Sequence, residues 1–265
     1  MKTRITVIMG IYNCADTLVE ALESLEIQTY QNFKVVLCDD GSKDDTLKVA
    51  LQWAETHSNY IVINNECNIG LNATLNRCLK YADTEFVARM DGDDRSLPHR
   101  FEYEVKFLDE NPDFAIVSGP MHYFDDNGVF RKGEGCGVVT KQDFIVGTPF
   151  CHAPCMVRRE AYEKVGGYTV SSKLLRVEDY HLWFKMYAVG YKGYMLHKPI
   201  YEMRDDRNAV LRRTLKNRMN EAYVKHIGYK MIGLPWWTHI YCLVPIIKGF
   251  MPFWLYRYFH QQRMK

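Results

Sequence analysis

With 265 residues, 47% of them apolar and 25% charged, the chain can bury one substantial core and is too rich in aliphatic and aromatic side chains to be disordered. The net charge of +2 conceals an uneven distribution: residues 1–203 carry 22 Lys and Arg against 29 Asp and Glu, and residues 204–265 carry 12 against 3. An acidic body argues against a nucleic-acid partner, whereas a basic, aromatic tail suits an anionic surface.

Residues 5–9 (ITVIM) are a β-branched apolar run, the pattern of a buried strand. The run is too short for a signal-peptide core and leads to no small-residue cleavage site, so no signal peptide is expected. Leu18, Ala21, Leu22 and Leu25 then repeat at helical spacing over 17–28. Residues 33–38 predict a second strand, ending at Asp39-Asp40-Gly41-Ser42. Ser42 with Asp45 has the form of a capping box opening a helix to about His57. A third strand over 60–63, a third helix over 71–82 and a fourth strand over 85–90 follow, the last ending at Asp91-Gly92-Asp93-Asp94. Pro98 is placed to begin a helix that runs to Asn111.

Four alternations of strand and helix predict an α/β layer structure with a mixed, mainly parallel sheet flanked by helices. Ligands of such sheets sit beyond the carboxyl ends of the strands. The polar clusters fall there: Tyr12-Asn13 after the first strand, Asp39-Asp40 after the second, and residues 91–94 after the fourth.

The second half is less regular. Residues 115–121 predict a strand, 125–128 a turn, 155–158 a short strand, and 159–165 a helix stopped by Gly166-Gly167. Glu178-Asp179 precede a helix over 180–189, and a basic helix is predicted over 209–227. The eight cysteines are scattered without a CxxC pair, which fits reduced thiols in a cytoplasmic protein.

Three clusters carry chemistry, each with an ordinary alternative. Three carboxylates in residues 91–94 repel unless a cation or solvent screens them, and Mg²⁺ binds one or two carboxylates plus substrate phosphates. The alternative is a solvated turn. An EF-hand is rejected because Ser96 stands where Gly is required and Pro98 interrupts the loop. Asp39-Asp40 offers acceptors to a base or ribose, or merely caps a helix. Glu178-Asp179, beside aromatic residues, offers a general base, or only the usual acids of a first helical turn. His152, between Cys151 and Cys155, reads first as a packed, hydrogen-bonded histidine. His181, near Asp179, offers a contact to an acceptor or the diphosphate, or plays a structural role, and Trp183 is a weaker candidate for contacts to an acceptor.

Taken together, ITVIMGIYN (5–13), LESLEIQTYQNFKVVLCDDGSKDDT (22–46), NIGLNATLN (68–76), FVARMDGDD (86–94), HAPCMVRREAYEKVGGY (152–168) and VEDYHLW (177–183) resemble the inverting glycosyltransferases of family 2, which have the GT-A fold. Each piece is weak, but six in the family's order are strong, and they cover residues 3 to about 205. One departure is Gly10-Ile11, where members commonly carry a proline or a small polar residue before the Tyr-Asn pair. The resemblance implies a catalytic domain over 1–205, with a nucleotide-binding half to about 115 and an acceptor-binding half over 116–205. A helical appendage fills 206–265.

The resemblance also implies roles. Tyr12 would stack near the nucleobase, and Asp40, with Asp39 beside it, would bind the base. Asp91 and Asp93 would form the Asp-x-Asp motif. Asp93 would ligate Mn²⁺ or Mg²⁺, Asp91 would reach the ribose or the ion, and Asp94 would lie just outside the ligand set. Asp179 would be the catalytic base, with Glu178 positioning it or the acceptor. The expected reaction is transfer from a nucleoside diphosphate sugar, UDP by default, to a saccharide or lipid-linked saccharide with inversion, in bacterial surface polysaccharide synthesis.

Residues 231–259 are rich in Trp and Tyr and flanked by Lys and Arg, but Pro235 and Pro245 break the apolar run. They are expected to lie in the membrane interface, which would place the protein peripherally on the inner face of the cell membrane. Packing on the catalytic domain and a dimer contact are the alternatives, and the sequence does not fix the oligomeric state. Rival readings are a non-catalytic membrane scaffold, a metal-dependent phosphatase and a nucleotidyltransferase. The phosphatase would place its Asp-x-Asp after the first strand, and the nucleotidyltransferase requires a basic Gly-rich loop that residues 10–16 lack.

Overall fold

A computed structural model of the chain describes residues 3–135, 137–205 and 214–250. The first half alternates as its periodicity predicts: β1 (Ile5–Ile11), α1 (Ala15–Glu26), β2 (Phe33–Asp39), α2 (Thr46–Thr56), β3 (Tyr60–Asn64), α3 (Leu71–Leu79) and β4 (Phe86–Arg89). The four strands lie in the order β3-β2-β1-β4, every neighbour parallel. β1, β2 and β4 read as continuous apolar runs because both faces are covered, while the edge strand β3 is half-buried. Ile5, Val7, Met9, Phe86 and Ala88 pack with Leu18, Leu22 and Leu25 of α1 on one face. Ile8 and Val87 pack with Leu75 and Cys78 of α3 on the other.

After this half come β5 (Arg95–Ser96), α4 (Arg100–Glu110), β6 (Phe114–Ser118), β7 (Met121–Asp125), β8 (Gly128–Lys132), β9 (Gly137–Val139), α5 (Asp143–Val146) and β10 (Met156–Arg158). They are followed by α6 (Arg159–Val165), α7 (Glu178–Ala188), β11 (Lys192–Met195) and β12 (Tyr201–Arg204). The large sheet continues from β4 through β10, β6 and β11 to β9. β10 is antiparallel to both neighbours, and β11 is parallel to β6 and antiparallel to β9. A second sheet, in the order β5-β12-β7-β8, starts directly after residues 91–94 and ends its β12 at Arg204. It therefore stands beside the carboxyl end of β4. The fold is the expected mixed α/β layer structure.

Several local expectations fail for identifiable reasons. No capping box forms at Ser42, because its hydroxyl is held by Asp39 and accepts the Asn13 N–H at 3.0 Å. The helix starts later, where Asp44 accepts from the Thr46 amide at 3.0 Å. Pro98 lies before the helix rather than in its first turn, and its carbonyl accepts from the Thr29 amide at 2.8 Å. The strand expected over 115–121 divides at Gly119-Pro120, so that β6 enters the large sheet and β7 the small one. A Cβ at Gly119 would sit 2.7 Å from the Ile200 side chain, so a larger residue there would have to displace it. Glu178 and Asp179 lie inside the first turn of α7 rather than before it.

The tail begins with α8 (Leu215–Met231), capped by the Thr214 hydroxyl. The expected helical start over 209–213 falls outside the described residues. A 3₁₀ segment (Trp236–Cys242) and α9 (Leu243–Phe250) follow. α8 docks on the body: Tyr229 stands edge-on to Phe184 with ring centroids 6.1 Å apart, and a Cβ at Gly228 would overlap that ring. Lys225 donates to the Ile145 and Val146 carbonyls, both at 3.1 Å, and the Tyr229 hydroxyl donates to Ile145 at 2.8 Å. The segments that follow α8 expose large apolar side chains, with Trp236 85%, Ile240 66% and Phe250 72% exposed. No helix among the described residues is long and apolar enough to cross a membrane. The expected interface residues 251–259 lie outside the described part.

Candidate active site

The loops after β1 and β2 are stitched to each other. Asn13, left-handed at φ 48°, accepts from the Lys43 amide at 2.8 Å. The Cys14 amide donates to the Thr46 hydroxyl at 2.8 Å, and the Ala15 amide to Asp44 at 3.1 Å. Asp39 accepts the Gly41 and Ser42 amides, both at 3.1 Å, together with the Ser42 hydroxyl. Asp40 accepts from Asn65 Nδ2 and the Ile69 amide at 2.8 Å and from the Gly70 amide at 3.0 Å. Both acids are buried. The structure thus uses Asp39 and Asp40 to brace loops, and neither lines the cleft described next. Gly41 makes the bracing possible. It is left-handed at φ 71°, and a Cβ there would lie 2.6 Å from the Cys67 backbone.

Beyond the ends of β1 and β4 lies a cleft of about 410 Å³, walled by Tyr12, Asp44, Asp91, Asp93 and Arg204 among others. Tyr12 is 46% exposed at its rim, so a flat ring could stack on it. One carboxylate oxygen each of Asp91, Asp93 and Asp94 lies within 4.8 Å of the other two. Burial, then the neighbouring acids, raises the carboxyls of Asp93 and Asp94, Asp94 well above the usual range. Three crowded oxygen donors, one of them exposed to the cleft, are a set that fits a hard divalent cation.

The small sheet fixes this loop. The Arg204 amide donates to Asp94 at 2.8 Å, its Nε donates to the Asp93 carbonyl at 3.1 Å, and its guanidinium pairs with Glu20. The Asp91 amide donates to the Tyr201 hydroxyl at 3.2 Å, and the Thr17 hydroxyl to the Gly92 carbonyl at 3.0 Å. Cys14 also lines the cleft, but burial pushes its thiol up to about 12, so it offers no thiolate nucleophile at neutral pH.

A buried arginine joins the loop to α7. Alternation along β4 sends Val87 and Arg89 to the face where α7 packs. Arg89 forms an ion pair with Asp91, and its charge also acts on Asp93, Glu178 and Asp179. Burial works against the guanidinium's charge, but Asp91 holds it protonated. Asp179 is half-buried; loss of solvent, then the Glu178 charge, pushes its carboxyl up to about 7. Burial raises Glu178 as well, and its Oε2 has no hydrogen-bond partner among the described residues. A carboxyl balanced near neutrality, beside an unsatisfied one, suits proton abstraction.

The weaker candidates divide. His152 donates to or accepts from the Tyr168 hydroxyl at 2.7 Å and is buried, with burial holding it neutral. It is the packed histidine of the ordinary reading. Trp183 is fully buried against Phe150 and His152, so it belongs to the core rather than to a surface an acceptor could reach. His181 is held neutral by burial, down to about 4, and its Nδ1 has no partner among the described residues.

The sequence reading overlooked Arg89, Arg204, Tyr201 and Asp44. Arg89 had one available signal, a lone cation ending an apolar strand. Arg204 and Tyr201 had none, because the short β12 shows no periodicity.

The profile of Glycosyl transferase family 2 matches residues 6–166. The putative glycosyltransferase EpsE of Bacillus subtilis (strain 168) is 37% identical over 262 residues, covering 98% of this chain and 94% of that protein. A UDP-Gal:α-D-GlcNAc-diphosphoundecaprenol β-1,3-galactosyltransferase of Escherichia coli is 29% identical over 86% of this chain and 84% of its own length. Among solved structures, the mannosyltransferase PcManGT of Pyrobaculum calidifontis, in complex with GDP-Man and Mn²⁺, superposes with a TM-score of 0.66 at 21% identity. That match covers 92% of this chain and 74% of the other.

Proposed function

The chain belongs to glycosyl transferase family 2, and from that premise we propose that it transfers a sugar from a UDP-sugar to a lipid-linked saccharide, with inversion, in the synthesis of a bacterial surface polysaccharide. One observation carries the reading: the acids after β4 and those opening α7 converge on Arg89. The diphosphoundecaprenol acceptor of the Escherichia coli relative supports the acceptor class, and its UDP donor supports the nucleotide.

Tyr12 stacks on the base. Asp40, with Asp39 beside it, binds the base, and the hydrogen bonds of both acids shape the nucleotide loop around Gly41. Asp93, with Asp91, holds Mn²⁺ or Mg²⁺, and Asp94 ties the loop to Arg204. The ion supplies positive charge for the diphosphate as the sugar leaves. The Mn²⁺ of the Pyrobaculum enzyme supports that assignment. Arg204, on the cleft wall, adds a second positive group on the phosphate side. Asp179 takes the acceptor hydroxyl's proton as that oxygen attacks the anomeric carbon opposite the leaving group, and one displacement inverts the centre. Glu178 orients the acceptor.

Residues 1–205 form the catalytic domain, divided near 115 into donor and acceptor halves, and 206–265 form the appendage. Its exposed Trp236, Trp237 and Ile240, near the cationic Lys230 and Lys248, rest in the interface of an anionic membrane, where a lipid-linked acceptor is presented. The protein is then peripheral on the cytoplasmic face.

Calorimetry with UDP-sugars tests the donor site. Mn²⁺ should tighten binding to the wild type and leave Asp93→Ala unaffected; equal metal-assisted binding by both would defeat the ion assignment. UDP release on turnover separates the enzyme from a scaffold that merely keeps the fold. Replacing Trp236 and Trp237 together by Ser should lower sedimentation with anionic vesicles several-fold, and undiminished sedimentation would remove the membrane role.

A further inference from the structure

We propose that His226, His239 and Cys242 form a second metal site, fitted to Zn²⁺ or a similar thiolate-binding ion, that fastens α8 to the 3₁₀ segment Trp236–Cys242. One ring nitrogen of each histidine and the Cys242 sulfur lie within 4.8 Å of one another. The residues come from two elements: His226 from α8, and His239 and Cys242 from the 3₁₀ segment. The two Nδ1 atoms are 3.2 Å apart. Facing imidazole nitrogens at that separation share a proton or bind one cation. A tetrahedral zinc with Zn–N bonds of about 2.0–2.1 Å places its nitrogen ligands about 3.3 Å apart.

The ligands are held before any ion arrives. The His239 ring stands edge-on to Tyr229 with centroids 5.7 Å apart, and to His226 at 4.9 Å and 66°. Cys242 is buried, whereas His226 is exposed, which leaves the outer side open to a water as fourth ligand. A nitrogen–nitrogen–sulfur set selects a softer ion than the all-oxygen set of Asp91, Asp93 and Asp94. Lys225, Lys230 and Lys248 oppose a bare cation nearby and Glu221 favours one. The Lys225 ammonium, though, is committed to two carbonyls of α5, those of Ile145 and Val146. The bound thiolate also neutralises one charge of the ion. Closing the chain between 226 and 242 would hold the exposed Trp236–Ile240 side in one orientation against α8. The site is independent of the transferase reading.

The experiment uses the full-length protein, stripped of metal by chelation and kept in excess Mg²⁺ so that the carboxylates are occupied. Co²⁺ should then produce a sulfur-to-cobalt charge-transfer band saturating at one equivalent, and Zn²⁺ should abolish it. The band should disappear in Cys242→Ser, and cobalt affinity should fall at least tenfold in His226→Ala. His226 is exposed, so its variant decides the matter should Cys242→Ser fail to fold. Hydrogen exchange over 236–250 should slow with Zn²⁺ in the wild type and not in His226→Ala. A wild type without the band, a band that persists in Cys242→Ser, or unchanged affinity in His226→Ala would show that the histidines merely share a proton. Exchange over 236–250 indifferent to Zn²⁺ would overturn the fastening role.

Discussion

Asp91, Asp93 and Asp94 share a loop clamped from outside by Tyr201, Arg204 and Thr17, with Asp93 itself exposed to the cleft. Glu178 and Asp179 open a helix whose buried face runs through Leu182, Trp183 and Met186, and their carboxyls are kept from solvent. Burial raises carboxyls in both clusters; the first gathers three oxygens where a cation can enter, and the second sets two acids side by side on a helix start. The same residue type thus serves two purposes because backbone donors, solvent and one arginine are distributed differently around it.

The largest test of that difference is Asp179→Asn, which should lower turnover about a hundredfold or more while the donor binds as before. A variant that kept its turnover would remove the base from α7. Loss of donor binding instead would show that the two clusters are not separate in function.

The pH dependence is the next test. The Asp179 carboxyl is shifted upward to about 7, so its proton-accepting form prevails only above that value. Turnover should rise about tenfold per unit as pH increases toward 7 and then level off. A profile flat from pH 5 to 8 would contradict a raised carboxyl at the rate-determining step.

Arg89 sharpens the contrast least but most specifically. Its charge holds the Asp179 carboxyl lower than burial alone would. Arg89→Met should therefore move the rising limb to higher pH and lower turnover several-fold at pH 7, whereas Arg89→Lys should restore most of both. An unmoved limb in Arg89→Met would mean that the arginine only supports Asp91.

The first half was legible in the sequence because β1, β2 and β4 are short, apolar and buried on both faces, and each ends where polar residues begin. Tyr12, Asp91 and Asp93 could be placed on the cleft from that pattern. Asp39 and Asp40 were placed at the right strand end, but the Asn65 side chain and the Ile69 and Gly70 amides that hold Asp40 were not foreseen, since acids in a loop read alike whatever their oxygens face. β5, of two residues, and β12, of four, carried too little periodicity to be found. The partners they supply, Tyr201 and Arg204, therefore went unseen.

The sequence alone determined the alternation of elements in the first half and the end of the sheet where polar residues would gather, because periodicity and burial act along neighbouring residues. Which acids face solvent, which face donors, and which answer to Arg89 was decided only when chain segments some ninety residues apart were packed together. Desolvation and charge act through space, and a carboxylate's role follows from its neighbours there.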